Sequence, residues 1–164
     1  MNEKSYHQPD FLFEVNGLRA IAVLVVLLFH FDVIGFGGGF LGVDVFFVIS
    51  GFLMTKVIFK SSESNSFSFM GFIINRAMRI IPALAFMILA IILFSWFFLL
   101  PSDFTSLGKN AVASNLFLSN IFYLRSSGYF DQSAHENILL HTWSLSVEWQ
   151  FYIIYPLVVA FLLK

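Results

Sequence analysis

Long apolar runs, each about as long as a bilayer is thick, alternate along this chain with short clusters of glycine, proline and polar residues. About 20 apolar residues cross a hydrocarbon core, and four segments meet that measure. The first runs from near Gly17 to Ile34, and the second from near Phe36 to Phe59 with only Asp44 and Lys56 ionisable. The third, near Ile80 to Leu100, holds no charge; the fourth, near His141 to Leu163, is wet at first and apolar from Phe151 onward. Pro82 is expected near the start of the third span, where a missing N–H is tolerated. Pro156 falls inside the fourth and is expected to kink it. Residues 105–124, TSLGKNAVASNLFLSNIFYL, carry polar residues at near-helical spacing, which predicts one interfacial or partly re-entrant helix. The fold class that follows is all-α: a polytopic membrane protein of about four transmembrane helices plus that one.

Composition supports this class. The 164 residues are 59% hydrophobic and 12% charged, with 23 phenylalanines, against about a quarter charged in soluble domains. No basic tract with interleaved aromatics points to nucleic acid. The chain has no cysteine, which excludes disulfides, thiol catalysis and Cys-ligated metals; no metal site is expected. A secretory signal is not favoured at the first span, because Phe31-Asp32-Val33-Ile34 is a poor cleavage site. Lys4 and Arg19 precede or open the first span, and Lys56, Lys60, Arg76 and Arg79 flank the serine-rich connector KSSESNSFSF. The segment from Pro101 to Leu140 holds only Lys109 and Arg125. The amino terminus and that connector are therefore expected on the cytoplasmic side.

Four constellations carry candidate chemistry. In GLRAIAVLVVLLFHF, Arg19 and His30 are eleven positions apart, which is three helical turns to within about 20° and about 16 Å of rise. Each has an ordinary reading, as a snorkelling anchor or an interfacial histidine. Together on one stripe they suggest function, since ionisable groups in spans face cavities or partners. In GFGGGFLGVDVFFVISGF, five glycines fall within eight residues ahead of Asp44. A turn accounts for two of them, Gly38 and Gly42 offer a small-xxx-small helix contact, and an anion-binding nest is the alternative. Asp44 is close enough in sequence to orient the His30 imidazole.

The third constellation is HTWSLSVEWQFYIIYP, in which His141, Ser144, Glu148, Tyr152 and Tyr155 form one polar stripe. Trp143 and Trp149 read as aromatic-belt anchors. Glu148 does not suit that belt: a carboxylate in a span must be protonated, paired or in a wet cavity. The fourth is NRAMRIIP, where Arg76 and Arg79 are either positive-inside anchors or a phosphate-binding pair.

These four motifs, in this order over roughly residues 11–164, resemble the acyltransferase family 3 membrane proteins of the O-antigen and peptidoglycan O-acetylase type. The resemblance implies an enzyme of the bacterial cytoplasmic (inner) membrane that moves an acyl group, commonly acetyl, from acyl-CoA. The acceptor is a hydroxyl of a cell-surface glycan or a lipid-linked equivalent. In that family the spaced arginine and histidine are the functional signature, carried here by Arg19 and His30. With the stripes above, the catalytic candidates are His30 and Glu148, and the substrate-binding candidates Arg19, Asp44, Arg76, Arg79, His141, Ser144 and Tyr152. His30 would act as general base or as acyl carrier, with Glu148 or Asp44 fixing its tautomer. Two departures from the family are visible. Ala77 stands where relatives often have a second arginine, and the chain ends after about four spans where relatives have roughly ten. Residues 1–164 are thus expected to be the amino-terminal part of an acyltransferase domain, with further helices or a partner chain completing it. The competing expectation is a non-catalytic remnant, a partner-assembled subunit or a small transporter.

Overall fold

The computed structural model describes residues 13–63, 67–126 and 137–162. Lys4, the centre of the serine-rich connector and Lys164 lie outside them. Among the described residues there are six α-helices and no β-strand: α1 (Phe13–His30), α2 (Gly42–Glu63), α3 (Phe69–Ser95), α4 (Pro101–Asn115), α5 (Ser119–Ser126) and α6 (Thr142–Leu162). Four of these, α1, α2, α3 and α6, are long and apolar enough to cross a membrane. Their side chains meet the surroundings with Phe86, Phe94 and Phe161 exposed, as a lipid-facing surface requires. The chain divides into two compact units, Met1–Lys56 and Val57–Lys164, with the boundary falling inside α2.

In the first unit, α1 starts four residues before the apolar run and carries both Arg19 and His30, as their shared stripe expects. It ends at His30 through a backbone cap. Asp32 takes the left-handed conformation at φ 51°. Its N–H then donates to Phe29 O and that of Val33 to Leu28 O, both at 3.1 Å, the reciprocal pattern that satisfies the last carbonyls. Gly35 turns the chain at φ 94°, and a single 3₁₀ turn, Gly39–Leu41, leads into α2. The expected Gly38/Gly42 contact is displaced by one residue. A Cβ on Gly38 would meet nothing within 4 Å, whereas one on Gly39 would lie 2.4 Å from Val25 O. On Gly42 it would lie 2.6 Å from Ala22 O. Gly39 and Gly42 therefore form the seam against α1, one helical turn apart.

In the second unit, α3 differs most from expectation. It spans 27 residues, about 40 Å at helical rise, so it is longer than a hydrocarbon core. Arg76, Arg79 and Pro82 lie within it rather than at its start. Ser68 caps its beginning by accepting from Gly71 N–H at 3.2 Å. Its end comes at Ser95, before the run Phe97-Phe98-Leu99-Leu100, because Pro101 opens α4 and the chain turns first. The single helix expected over 105–124 is two helices, α4 and α5, broken at Leu116–Leu118; α4, at 15 residues, rises only about 22 Å. Leu84, Ile88, Leu107, Ala111, Phe117 and Leu139 form the apolar core, with Leu145 and Trp149 packed on it.

Candidate functional site

Each unit presents its own group of chemically capable side chains. In the first, Arg19 is half-buried, with its guanidinium carbon 6.0 Å from the centre of the Phe46 ring on α2. That is the outer limit of a cation–π contact. Eleven residues on, His30 is exposed at the last position of α1, where its Nδ1 lies 2.7 Å from Val26 O. A carbonyl can only accept, so Nδ1 carries the hydrogen, and in the neutral ring the lone pair sits on Nε2. The helix backbone one turn earlier thus holds the hydrogen at Nδ1. Phe29 meets the imidazole edge-on at 5.2 Å. Asp44 is exposed in the first turn of α2, where its charge complements the helix dipole.

In the second unit the polar stripe of α6 divides. His141 precedes the helix and is exposed; Ser144 donates to His141 O at 3.1 Å. Further along, the Tyr152 hydroxyl donates to Glu148 Oε1 at 2.5 Å, while Tyr155 packs on Phe151. Arg76 and Arg79, three positions apart on α3, have different surroundings. The Arg76 guanidinium lies 5.1 Å from the Tyr152 ring centre and 5.4 Å from that of Phe72. Arg79 instead edges a cleft of about 510 Å³ with Ala83, Met87, Leu139, His141 and Leu145. The cleft is apolar but for that guanidinium, the imidazole and Thr142, a lining suited to an aliphatic group attached to an anion. Among the described residues no group of three or more His, Cys, Asp or Glu is placed to hold a metal ion.

A second polar face of α6 was not anticipated. Thr142, Ser146 and Gln150 repeat every fourth residue, and a residue two positions on, such as Glu148 after Ser146, points about 200° away. This face closes on α4 and α5. The Thr142 hydroxyl stands 2.7 Å from that of Ser114, 3.2 Å from that of Ser119 and 2.8 Å from Leu139 O. Ser119 and Ser146 hydroxyls are 2.7 Å apart. Gln150 donates to Phe117 O at 2.9 Å and exchanges amide bonds with Asn120 at 3.0 Å in both directions. Phe117 is itself left-handed, at φ 54°, a costly conformation for an aromatic residue. Trp149 holds it, stacking on the Phe117 ring at 4.6 Å and 18°. Trp149 is therefore a half-buried packing residue. The signal in the sequence was the four-residue repeat of Thr, Ser and Gln in HTWSLSVEWQ.

Comparison with known proteins identifies the family. Residues 12–164 match the acyltransferase 3 family, described as an acyltransferase domain. O-acetyltransferase OatA of Staphylococcus aureus (strain NCTC 8325 / PS 47) is 39% identical over 163 residues, covering 98% of this chain and 26% of that protein. Peptidoglycan O-acetyltransferase OatA of Listeria monocytogenes is 37% identical over 165 residues, 99% of this chain and 26% of its own. An uncharacterized protein of Haemophilus influenzae is 41% identical over 121 residues, 74% of this chain and 49% of that one. The chain thus spans about a quarter of the length of the two acetyltransferases. No solved structure matches. With the motifs around Arg19, Asp44, Arg76 and Glu148 all inside the matched residues, the chain belongs to the acyltransferase 3 family.

Proposed function

We propose that this protein takes part in membrane O-acyl transfer, moving an acetyl group from acetyl-CoA to a hydroxyl of a cell-envelope glycan. The observation that carries the reading is the imidazole of His30, exposed at a helix end, whose Nδ1 is bound to Val26 O. Its reacting atom is Nε2. In one route Nε2 takes the proton of the acceptor hydroxyl while the oxygen attacks the thioester carbonyl; the C–S bond breaks and the departing thiolate recovers a proton from the imidazolium. In the other, Nε2 itself attacks the thioester carbonyl, the C–S bond breaks and the thiolate leaves, giving an acyl-imidazolium. The hydroxyl then takes the acyl group as the C–N bond breaks, and its proton passes by way of the freed imidazole to the thiolate. Arg19, Arg76 and Arg79 are assigned to the phosphates of the donor, for which guanidinium geometry is suited, and His141 and Ser144 to the polar rim of the cleft. Asp44, at the mouth of α2, is assigned to acceptor hydroxyls. The amino terminus is assigned to the cytoplasmic face of a bacterial inner membrane, where acyl-CoA is available.

The peptidoglycan acceptor named for the Listeria relative makes peptidoglycan the first acceptor to test. The experiment compares cells expressing the wild-type protein with cells expressing His30→Ala, measuring base-released acetate from the envelope and acetyl-CoA binding by the purified proteins. Loss of a general base or nucleophile is expected to lower acetylation by about 100-fold or more, with donor binding retained. Unchanged acetylation in His30→Ala, together with no acetyl-CoA binding by the wild type, would establish the non-catalytic alternative instead.

A further inference from the structure

Glu148 suggests a catalytic carboxylate that orients the His30 ring when only the sequence is considered, yet its Oε1 is engaged by the hydroxyl of Tyr152 one turn along the same helix. Tyr152 is buried, with 5% of its surface exposed, and its ring is the nearer of two aromatic walls around the Arg76 guanidinium. The second wall, Phe72, is also buried, and the two rings meet edge to face at 6.3 Å and 85°. A guanidinium is held over an aromatic face by the ring's negative electrostatic potential. A phenol that donates to a carboxylate is the more electron-rich for it, and its ring is fixed in rotation. The connection therefore runs from the carboxylate on α6 through the phenol ring to the cation on α3.

We infer that Glu148 is a positioning residue: through Tyr152 it holds the Arg76 guanidinium in one place, ready for an anionic phosphate group of the donor. Arginine has a long side chain with many rotamers, and a preorganised one loses less freedom when a ligand binds. The inference rests on the acyl-CoA reading above for the identity of the anion, while the relation among the three residues does not.

The test uses the whole protein in lipid nanodiscs with acetyl-CoA as the probe, and compares Glu148→Ala, Glu148→Gln, Tyr152→Phe and the double variant Glu148→Ala/Tyr152→Phe. Acetyl-CoA affinity is one readout. The other is the order parameter of the Arg76 Nε–H bond by nitrogen-15 relaxation, its signal identified by its disappearance in Arg76→Lys. Glu148→Ala and Tyr152→Phe are each expected to weaken binding by about tenfold and to loosen Arg76, with the double variant no worse than either. Glu148→Gln, whose amide oxygen still accepts from Tyr152, is expected to recover binding to within about threefold and to restore Arg76 order. Tyr152→Phe retains the ring and carries the test where Glu148→Ala fails to insert. Arg76 equally ordered in every variant overturns the inference. So does a Glu148→Gln protein that binds normally but turns over as slowly as Glu148→Ala, since the carboxylate would then act on reacting atoms. Wild-type protein that does not bind acetyl-CoA, while Arg76 still loosens in Glu148→Ala, removes the donor assignment and upholds the positioning relation.

Discussion

The two units join their helices by opposite means. In the first, α1 and the start of α2 meet through absence: Gly39 and Gly42 have no side chains, and the backbone of Ala22 and Val25 fills the space. In the second, α6 is tied to α4 and α5 by hydroxyls and amides, and among the described residues no buried side-chain polar atom lacks a partner. Both devices answer the same problem. Between helices in lipid the hydrophobic effect gives no drive, so contact must come from close packing or hydrogen bonds. The glycine seam tolerates no added atom and the polar seam no lost one, so the two regions should fail under opposite substitutions.

The largest effect is expected from Gly39→Leu or Gly42→Leu. A Cβ under 3 Å from backbone oxygen must push the helices apart, at a cost of about 3 kcal/mol, read by thermal or detergent unfolding of the purified protein. Next comes Thr142→Val, which keeps the volume but takes one hydroxyl from the cluster formed with Ser114 and Ser119; about 2 kcal/mol is expected. Gln150→Leu should cost about 1 kcal/mol by stranding Phe117 O and the Asn120 amide, and a double-mutant cycle with Asn120→Ala should show strong coupling. At the bottom, Gly37→Ala and Gly38→Ala meet nothing within 4 Å and should shift stability by less than about 0.5 kcal/mol. A Gly38→Ala protein as damaged as Gly39→Leu would remove the glycine seam from the comparison, and a neutral Thr142→Val would remove the polar one.

The spans were legible because hydropathy over about 20 residues is a sum, insensitive to any one position. Their ends were not, because caps set them. Asp32 in a left-handed turn stops α1 short of Ile34, and a turn before Pro101 stops α3 at Ser95 while the sequence is still apolar. The glycine cluster announced a close approach, but register decided which glycines make it, and register is a property of two helices together. At the candidate site, Arg19, His30, Arg76 and Glu148 stood out as charges within grease. Their partners did not: Val26 O is backbone, Phe46 is one phenylalanine among 23, and the Phe117–Gln150 bond joins residues 33 apart. Nothing local announces that Trp149 stacks on a strained Phe117.

The hydrogen bond from His30 to Val26 O also bears on the order of events during assembly. It needs only one turn of α1. The proton on this imidazole is therefore placed as soon as that first helix winds, while the rest of the chain is still being made. Later helices then meet a ring whose Nδ1 is already engaged.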